Sequence, residues 1–406
     1  MFRLLVWLRR LAHALWLRVA LFAALALFAV AAAHFAAPLV PGWLEERIDA
    51  KAVLPVLEIL ASSMLAVSTF SLGIMVQTHR SALQNATPRV LDLMLEDGLT
   101  HNVLGIFIGA FVYALTALIL FQAGFDSGAA LVLGVTLAVT GAVVVALLRW
   151  IAHLTTLGTL RDALARTEDQ ARRALKRHRH KPALGANPIG PETVLPDAAR
   201  TIAAPRSGVL QVIDVQGLAR CAPGPVWVLR RPGQQILRGA PFLQVPAGQG
   251  DAASDQAMLE CFVIGDTRTF EQDPAFALTV LSEIASRALS PAVNDPGTAI
   301  EVVSRLERLL WDWAQASKSD AVEGPGVFVH PWTPPELIEA AFAAIARDGA
   351  SMLEVAGHLL EALTALGQAP EDSLAEAARA MQARARAHAE AALRLDADTA
   401  RLPPEA

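Results

Sequence analysis

Four apolar runs, Val19 to Val40, Ala52 to Val76, Val103 to Ala123 and Ala129 to Leu148, constrain this chain more than any other feature. At 1.5 Å per residue, a helix of about 20 residues crosses a hydrocarbon core of roughly 30 Å, and each run reaches that length. A bilayer offers the backbone no water, so a run of this kind must satisfy its N–H and C=O groups internally. The runs are therefore expected as four transmembrane helices within residues 1–150. The composition agrees, with 54% hydrophobic and only 18% charged residues, outside the range of ordinary soluble proteins. At 406 residues the chain has room for further soluble parts.

Arg3, Arg9 and Arg10 precede the first run as they would in a secretory signal. The run exceeds the 7–15 apolar residues of such a signal, so it is expected as a retained helix. Basic residues set the orientation. Arg3, Arg9, Arg10 and Arg18 lie before the first run, His79, Arg80 and Arg89 between the second and third, and Arg149 and Arg161 after the fourth. The opposite side carries only Arg47 and Lys51, offset by Glu45, Glu46 and Asp49. The positive-inside rule then places both termini, and everything after Arg149, in the cytoplasm.

The second run is unusual because it carries Glu58, Ser62, Ser63, Ser68, Thr69 and Ser71. Lipid alone rewards no hydroxyl, so these residues are candidates for a pore lining or a helix interface. Glu58 near the membrane surface either reaches the headgroups or stands at the mouth of a water-filled path. In the third run Gly105 and Gly109 share one helix face and permit close helix packing.

After the fourth run a helix is expected from Ile151 to Ala174, followed by a basic tract and a Pro- and Gly-rich linker to residue 200. Arg172, Arg173, Lys176, Arg177, Arg179 and Lys181 suit anionic lipid headgroups. They suit a solvated helix end equally well. Between residues 201 and 265 short extended runs alternate with turns, as in Ser207 to Ile213, Val226 to Arg230 and Gly239 to Leu243. Their turn spacing resembles the small barrels of biotinyl or lipoyl carriers, without the modifiable lysine between methionines, so a barrel-like shape with no prosthetic group is expected. Gln256 to Ile264 reads as one more strand. Residues 266–406 read as helical, with helices from Ala275 to Leu289 and from Pro296 to about Ala316. Asp295 is placed to cap the second of these, with Pro296 in its first turn. Apolar spacing from Leu337 to Leu366 implies a bundle, and Ser373 to Leu393 reads as a largely solvated last helix. Cys221 and Cys261, both on the cytoplasmic side, are expected as thiols.

The order of these features resembles the bacterial predicted membrane proteins grouped as domain of unknown function 2254. The matching segments are Pro88-Arg89, Gly105 to Tyr113, Ser207-Gly208, Ile213 to Leu218, Arg268-Thr269, Gln272-Asp273 and Ala288 to Ala299. Gly297 departs from the pattern, which has a larger, often aromatic, residue there. The resemblance implies a bacterial inner-membrane protein and carries no activity with it. It marks Arg268, Thr269, Gln272, Asp273, Ser290, Asn294, Asp295 and Thr298 as a candidate polar site.

Two functions fit. One is a homo-oligomeric channel or transport-related protein, its second run beside the pore and its cytosolic part a gate or vestibule. The other is a membrane-anchored sensor or scaffold whose cytosolic part binds a ligand or protein. No His-x-x-x-His pair, Gly-x-Ser-x-Gly, phosphate-binding Gly-Lys-Ser or zinc spacing is present. Catalysis, a metal and a cofactor are therefore not expected. Nucleic-acid binding is not expected either, because basic and aromatic residues do not interleave.

Overall fold

The computed structural model describes residues 15–36, 50–85, 89, 98–124, 129–154, 158–190, 193, 198–318 and 321–404. The chain divides into two units at residues 163 and 164.

The first unit is built from α1 (Leu15–Ala36), α2 (Ala50–Asn85), α3 (Gly98–Gln122) and α4 (Ala129–Leu154). Three helices are long and apolar enough to cross a membrane, at 53–78, 98–122 and 129–154, while the apolar part of α1 is shorter, Val19–Ala32. The expected first span is thus matched by a helix but not by a full apolar crossing among the described residues. Its expected end, from Pro38 to Trp43, lies outside them, as do the expected short helix from Val90 to Asp97 and most of the reversal before Ala129.

The third helix occupies the centre of this unit, with Phe107, Ala110, Tyr113, Ala114 and Ala117 buried. A Cβ at Gly105 would collide with the Phe22 ring, and one at Gly109 would stand 3.2 Å from the Phe22 carbonyl oxygen. The two glycines therefore let α1 lie directly on α3. Tyr113 donates to, or shares a proton with, Val132 O and Thr136 Oγ1, both at 3.0 Å, tying α3 to α4.

The second helix corrects two expectations. It continues to Asn85 rather than ending near Val76, because nothing from Gln77 to Asn85 breaks a helix. Its 36 residues span about 54 Å, well beyond a hydrocarbon core. Pro55, which a helix starting at Ala52 would hold in its first turn, lies in the second because the helix starts at Ala50.

The helix expected from Ile151 to Ala174 is interrupted. Gly158 takes φ +76°, and Thr159 caps a new helix, α5 (Leu160–His180), by accepting from Asp162 N at 3.1 Å. A residue with φ in this region ends a right-handed helix.

The second unit, from residue 164, joins an α+β layer to a helical bundle. Its strands are β1 (Asn187–Pro188), β2 (Ala199–Ala203), β3 (Gly208–Ile213), β4 (Val226–Val228), β5 (Gln235–Ile236), β6 (Pro241–Pro246), β7 (Phe262–Gly265) and β8 (Val327–Val329). They form two open sheets, β1-β8-β4-β6-β2 and β5-β3-β7. The expected small barrel is corrected: the described strands do not close on themselves. The reason is β8, which arrives from beyond two intervening helices and pairs in parallel with β4 and β1. A shared core of Leu210, Ile213, Phe242, Leu243 and Phe262 fills the α+β layer, with Phe242 and Phe262 edge to face at 4.7 Å.

Two short helices also enter this layer. α6 (Val215–Cys221) is capped by Asp214, which accepts from Gly217 N at 2.8 Å. α7 (Ala252–Leu259) takes the first four residues of the strand expected from Gln256 to Ile264, because Asp251 and Ser254 form a capping box at its start, and β7 keeps the end of that strand.

The bundle holds α8 (Pro274–Ala288), α9 (Pro296–Gln315), α10 (Pro334–Asp348), α11 (Leu353–Leu366) and α12 (Asp372–Ala392), with a last turn, α13 (Asp396–Thr399). The α8 helix is buried on most sides, as its run Ala275, Phe276, Ala277, Leu278 requires. The α12 helix is not simply solvated: Leu374, Ala378, Met381, Ala385 and Ala389 form its buried stripe.

Candidate functional site

The basic tract forms the last turns of α5, where residues 173, 176–177 and 180–181 recur on one face. That face borders a cavity of about 570 Å³, closed by Pro182 and Leu184, the Arg231-Pro232 turn, residues 271, 272 and 274, and His330 and Trp332 after β8. Five arginines and lysines line it, Arg173, Lys176, Arg177, Lys181 and Arg231, against one carboxylate, Glu271.

Arg231 organises one wall. Its guanidinium lies 3.7 Å over the Trp332 ring, donates to Pro331 O at 2.8 Å and forms a two-pronged pair with Glu336, which also caps α10 through Thr333 N at 2.9 Å. His178 forms another wall, 7% exposed, its Nε2 3.0 Å from Trp332 O and its ring stacked on Trp313. Burial holds the His178 imidazole down at about 4, with Arg179 and Arg231 pushing the same way. His178 is thus neutral near pH 7, with Nε2–H donated to the Trp332 carbonyl. His178 Nδ1, Arg231 Nε and Trp332 Nε1 are buried without a partner among the described residues. Burial and then Arg231 also lower His330.

The headgroup candidates separate by position. Arg179 is buried, donating to Ala314 O at 3.0 Å, Ala316 O at 2.7 Å and Glu371 at 2.7 Å. It is a structural cation, which corrects its assignment to headgroups: the bundle needs it to satisfy the C-terminus of α9. Arg172 pairs with Asp312 at 2.8 Å and Glu168 at 3.0 Å. Arg173 pairs with Asp169 at 2.5 Å, Lys181 pairs with Glu323, and Arg177 donates to Phe270 O and Glu271 O. Lys176 is exposed.

The candidate polar site falls into two places. Asp273, 1% exposed at its side chain, receives both prongs of Arg268 at 2.8 and 2.9 Å and caps α8 through Phe276 N at 3.0 Å. Burial pushes its carboxyl up against the pull of Arg268. Gln272 clips β3 by accepting from Ile213 N and donating to Ile213 O, and the Thr269 hydroxyl is buried without a partner among the described residues. Ser290, Asn294, Asp295 and Thr298 lie at the other end of α8, about 22 Å away by its 15 residues. There Asn294 takes φ +50°, Asp295 caps α9 through Thr298 N and Oγ1, and Ser290 Oγ donates to Arg287 O. These eight residues therefore do not form one site. A Cβ at Gly297 would meet only Asp295 Oδ1 at 3.4 Å, so the departure there leaves the turn intact.

In α2, Val53, Leu57, Leu60, Met64 and Ser71 face the unit's interior, and Glu58, Ser62, Ser63 and Thr69 face outward. Ser62 and Thr69 spend their hydroxyls on carbonyls of their own helix, whereas Ser68 and Ser71 Oγ have no partner among the described residues. Cys221 and Cys261 are free thiols with sulfurs 3.8 Å apart, and burial with Cys221 pushes Cys261 up to about 12. Among the described residues no group of three or more His, Cys, Asp or Glu is placed to hold a metal.

Arg231, His330 and Trp332 are invisible as a group in the sequence, since only the parallel pairing of β8 with β4 brings them together.

Apolar helices long enough to cross a bilayer, in a chain that also carries an α+β unit with a basic cavity, define a membrane protein. The chain matches the family described as predicted membrane protein, domain of unknown function 2254, over residues 12–365, and belongs to it. It is also 32% identical over 186 residues to uncharacterized proteins of Mycobacterium bovis and Mycobacterium tuberculosis, a match covering 43% of this chain and 36% of theirs. The match thus spans little more than a third of those relatives. No solved structure matches the chain.

Proposed function

We propose that this protein is a membrane-anchored sensor whose extramembrane unit binds a small ligand in the cavity beside α5. The observation that carries this reading is the cavity itself. Its volume of about 570 Å³ lies within the range of small-molecule sites, and two residues that line it, Arg231 and Trp332, carry N–H donors without a partner among the described residues. The unit is assigned to the cytoplasm of a bacterial cell by the positive-inside rule, and no catalytic step is assigned to it. The test is the thermal stability of the full-length protein in phosphatidylcholine nanodiscs against a fractionated metabolite pool. A fraction that raises the melting temperature in a dose-dependent way supports the reading. No stabilisation by any fraction, with the protein folded, rejects it.

A second reading, a homo-oligomeric channel, draws on α2. Glu58, Ser62 and Thr69 recur at helical spacing on its outward face, where a lone chain would present a carboxylate toward lipid or headgroups. A neighbouring copy would cover that face or share a water path along it. Single-channel recording of purified protein tests this, and so does crosslinking of a Ser62→Cys variant. Silent membranes together with absent crosslinks would exclude it.

A further inference from the structure

The cavity's chemistry selects among ligands. Its α5 wall is cationic, with Arg173, Lys176 and Arg177 along one helix face, and Pro182, Leu184, Pro232 and Pro274 add apolar lining. The internal ion pairs on this rim are exposed: the Arg173–Asp169 side chains are 51% and 57% accessible. Pairs of that kind contribute little to stability and are readily exchanged for a stronger acceptor. Lys176 has no ion-pair partner among the described residues. Deeper in, Trp332 Nε1 and Arg231 Nε are donors without a partner among the described residues. Arg231 itself is held rigidly by Glu336 and Trp332, so its position costs a ligand nothing to arrange.

We infer that the cavity is a binding site for a small organic phosphate, its phosphate held by the α5 cations and its less polar body laid against the Pro182, Leu184 and Pro232 wall beside Trp332. A phosphate rather than a single carboxylate fits, because Arg173, Lys176 and Arg177 line the cavity from one helix face and the exposed Arg173–Asp169 pair is weak enough to give way to a doubly charged acceptor, while the Arg231 fork stays on Glu336. The volume leaves room for an organic body besides the anion. This inference rests on the sensor reading and narrows it to a ligand class. The phosphate has two sources, a soluble phosphorylated metabolite or the headgroup of an anionic phospholipid.

The experiment uses full-length protein in phosphatidylcholine nanodiscs, titrated by calorimetry with adenosine monophosphate, adenosine and inorganic pyrophosphate. A parallel arm uses soluble glycerophosphoglycerol and nanodiscs containing phosphatidylglycerol. Saturable binding of a phosphate-bearing probe is expected. It should weaken at least tenfold in Lys176→Glu and less in Lys176→Ala, and be unchanged in the exposed control Arg394→Glu. Binding of adenosine monophosphate or pyrophosphate assigns a soluble source. Binding confined to the phosphatidylglycerol arm assigns a lipid source. Equal binding of adenosine and adenosine monophosphate, indifferent to Lys176→Glu, overturns the phosphate class while leaving a ligand site. No binding of any phosphate probe by folded protein, while a neutral metabolite fraction still stabilises it, also overturns the inference but not the sensor reading. Absence of both rejects the two together.

Discussion

Gly233 leaves room for the Asp273 carboxylate and for nothing else: its φ is +93°, and a Cβ built on it would collide with Asp273 Oδ2. Asp273 is committed to Arg268 and to the first turn of α8, so it has no space to retreat. Gly233→Ala is therefore expected to destabilise the protein by about 2–4 kcal/mol, from backbone strain and the displaced ion pair together. Chemical denaturation of the variant measures this. A loss below about 0.5 kcal/mol, the range of inert surface changes, would contradict the packing described.

His178 makes stability depend on pH in a defined direction. Its folded-state value of about 4 lies below the ordinary 6.5, so the unfolded chain binds the proton more readily. Its contribution is complete above pH 6.5 and is lost as pH falls through the interval to 4. The loss amounts to about 3 kcal/mol at most. His178→Gln removes the titrating group and should flatten the melting temperature between pH 6.5 and 4 relative to the parent. Identical slopes for the two proteins would sink this account.

The Asn294-Asp295 turn is expected to matter for folding and not for the cavity. Asn294 occupies the left-handed region, which Asn and Gly tolerate and β-branched residues do not. Asn294→Val should cost about 1–2 kcal/mol and Asn294→Gly far less. Asp295→Ala should cost about 1 kcal/mol through the lost cap. All three keep ligand-induced stabilisation intact, because the turn and the cavity lie at opposite ends of α8. An Asp295→Ala protein that is folded but no longer stabilised by ligand would show that the turn serves the site.

In the first unit, Gly105→Leu should force α1 from α3 by meeting the Phe22 ring. The expected cost is about 1–3 kcal/mol, as for other overpacked positions. Phe22→Ala in the same chain should recover part of it. Thermal unfolding in detergent gives all four corners of the cycle, and strict additivity would mean that the two residues do not touch.

Much of this was legible locally. The α8 and α9 helices start within a residue or so of their expected positions because Asp273 and Asp295, each followed by proline, cap them through contacts three residues away. The Gly105–Gly109 spacing announced close packing, and the partner it meets is Phe22. The extent of α2 is not legible in hydropathy, since its polar end stays helical to Asn85 and polarity alone does not break a helix. The expected barrel does not form for a different reason: turn spacing reports hairpins, and β8 enters the sheet as a parallel strand from beyond the next two helices of the bundle.

Sequence alone determined the membrane character, the division into an apolar and an extramembrane half, and the helix boundaries set by caps, since all of these depend on hydropathy and on contacts within a few residues. Tertiary structure decided what the basic tract does. Arg179 meets Glu371 across a sequence separation of 192, and Arg231 meets Glu336 across 105. Those pairings separate a buried structural cation from the exposed ones that ring a cavity. They follow from chain topology, which the spacing of charges along a helix does not encode.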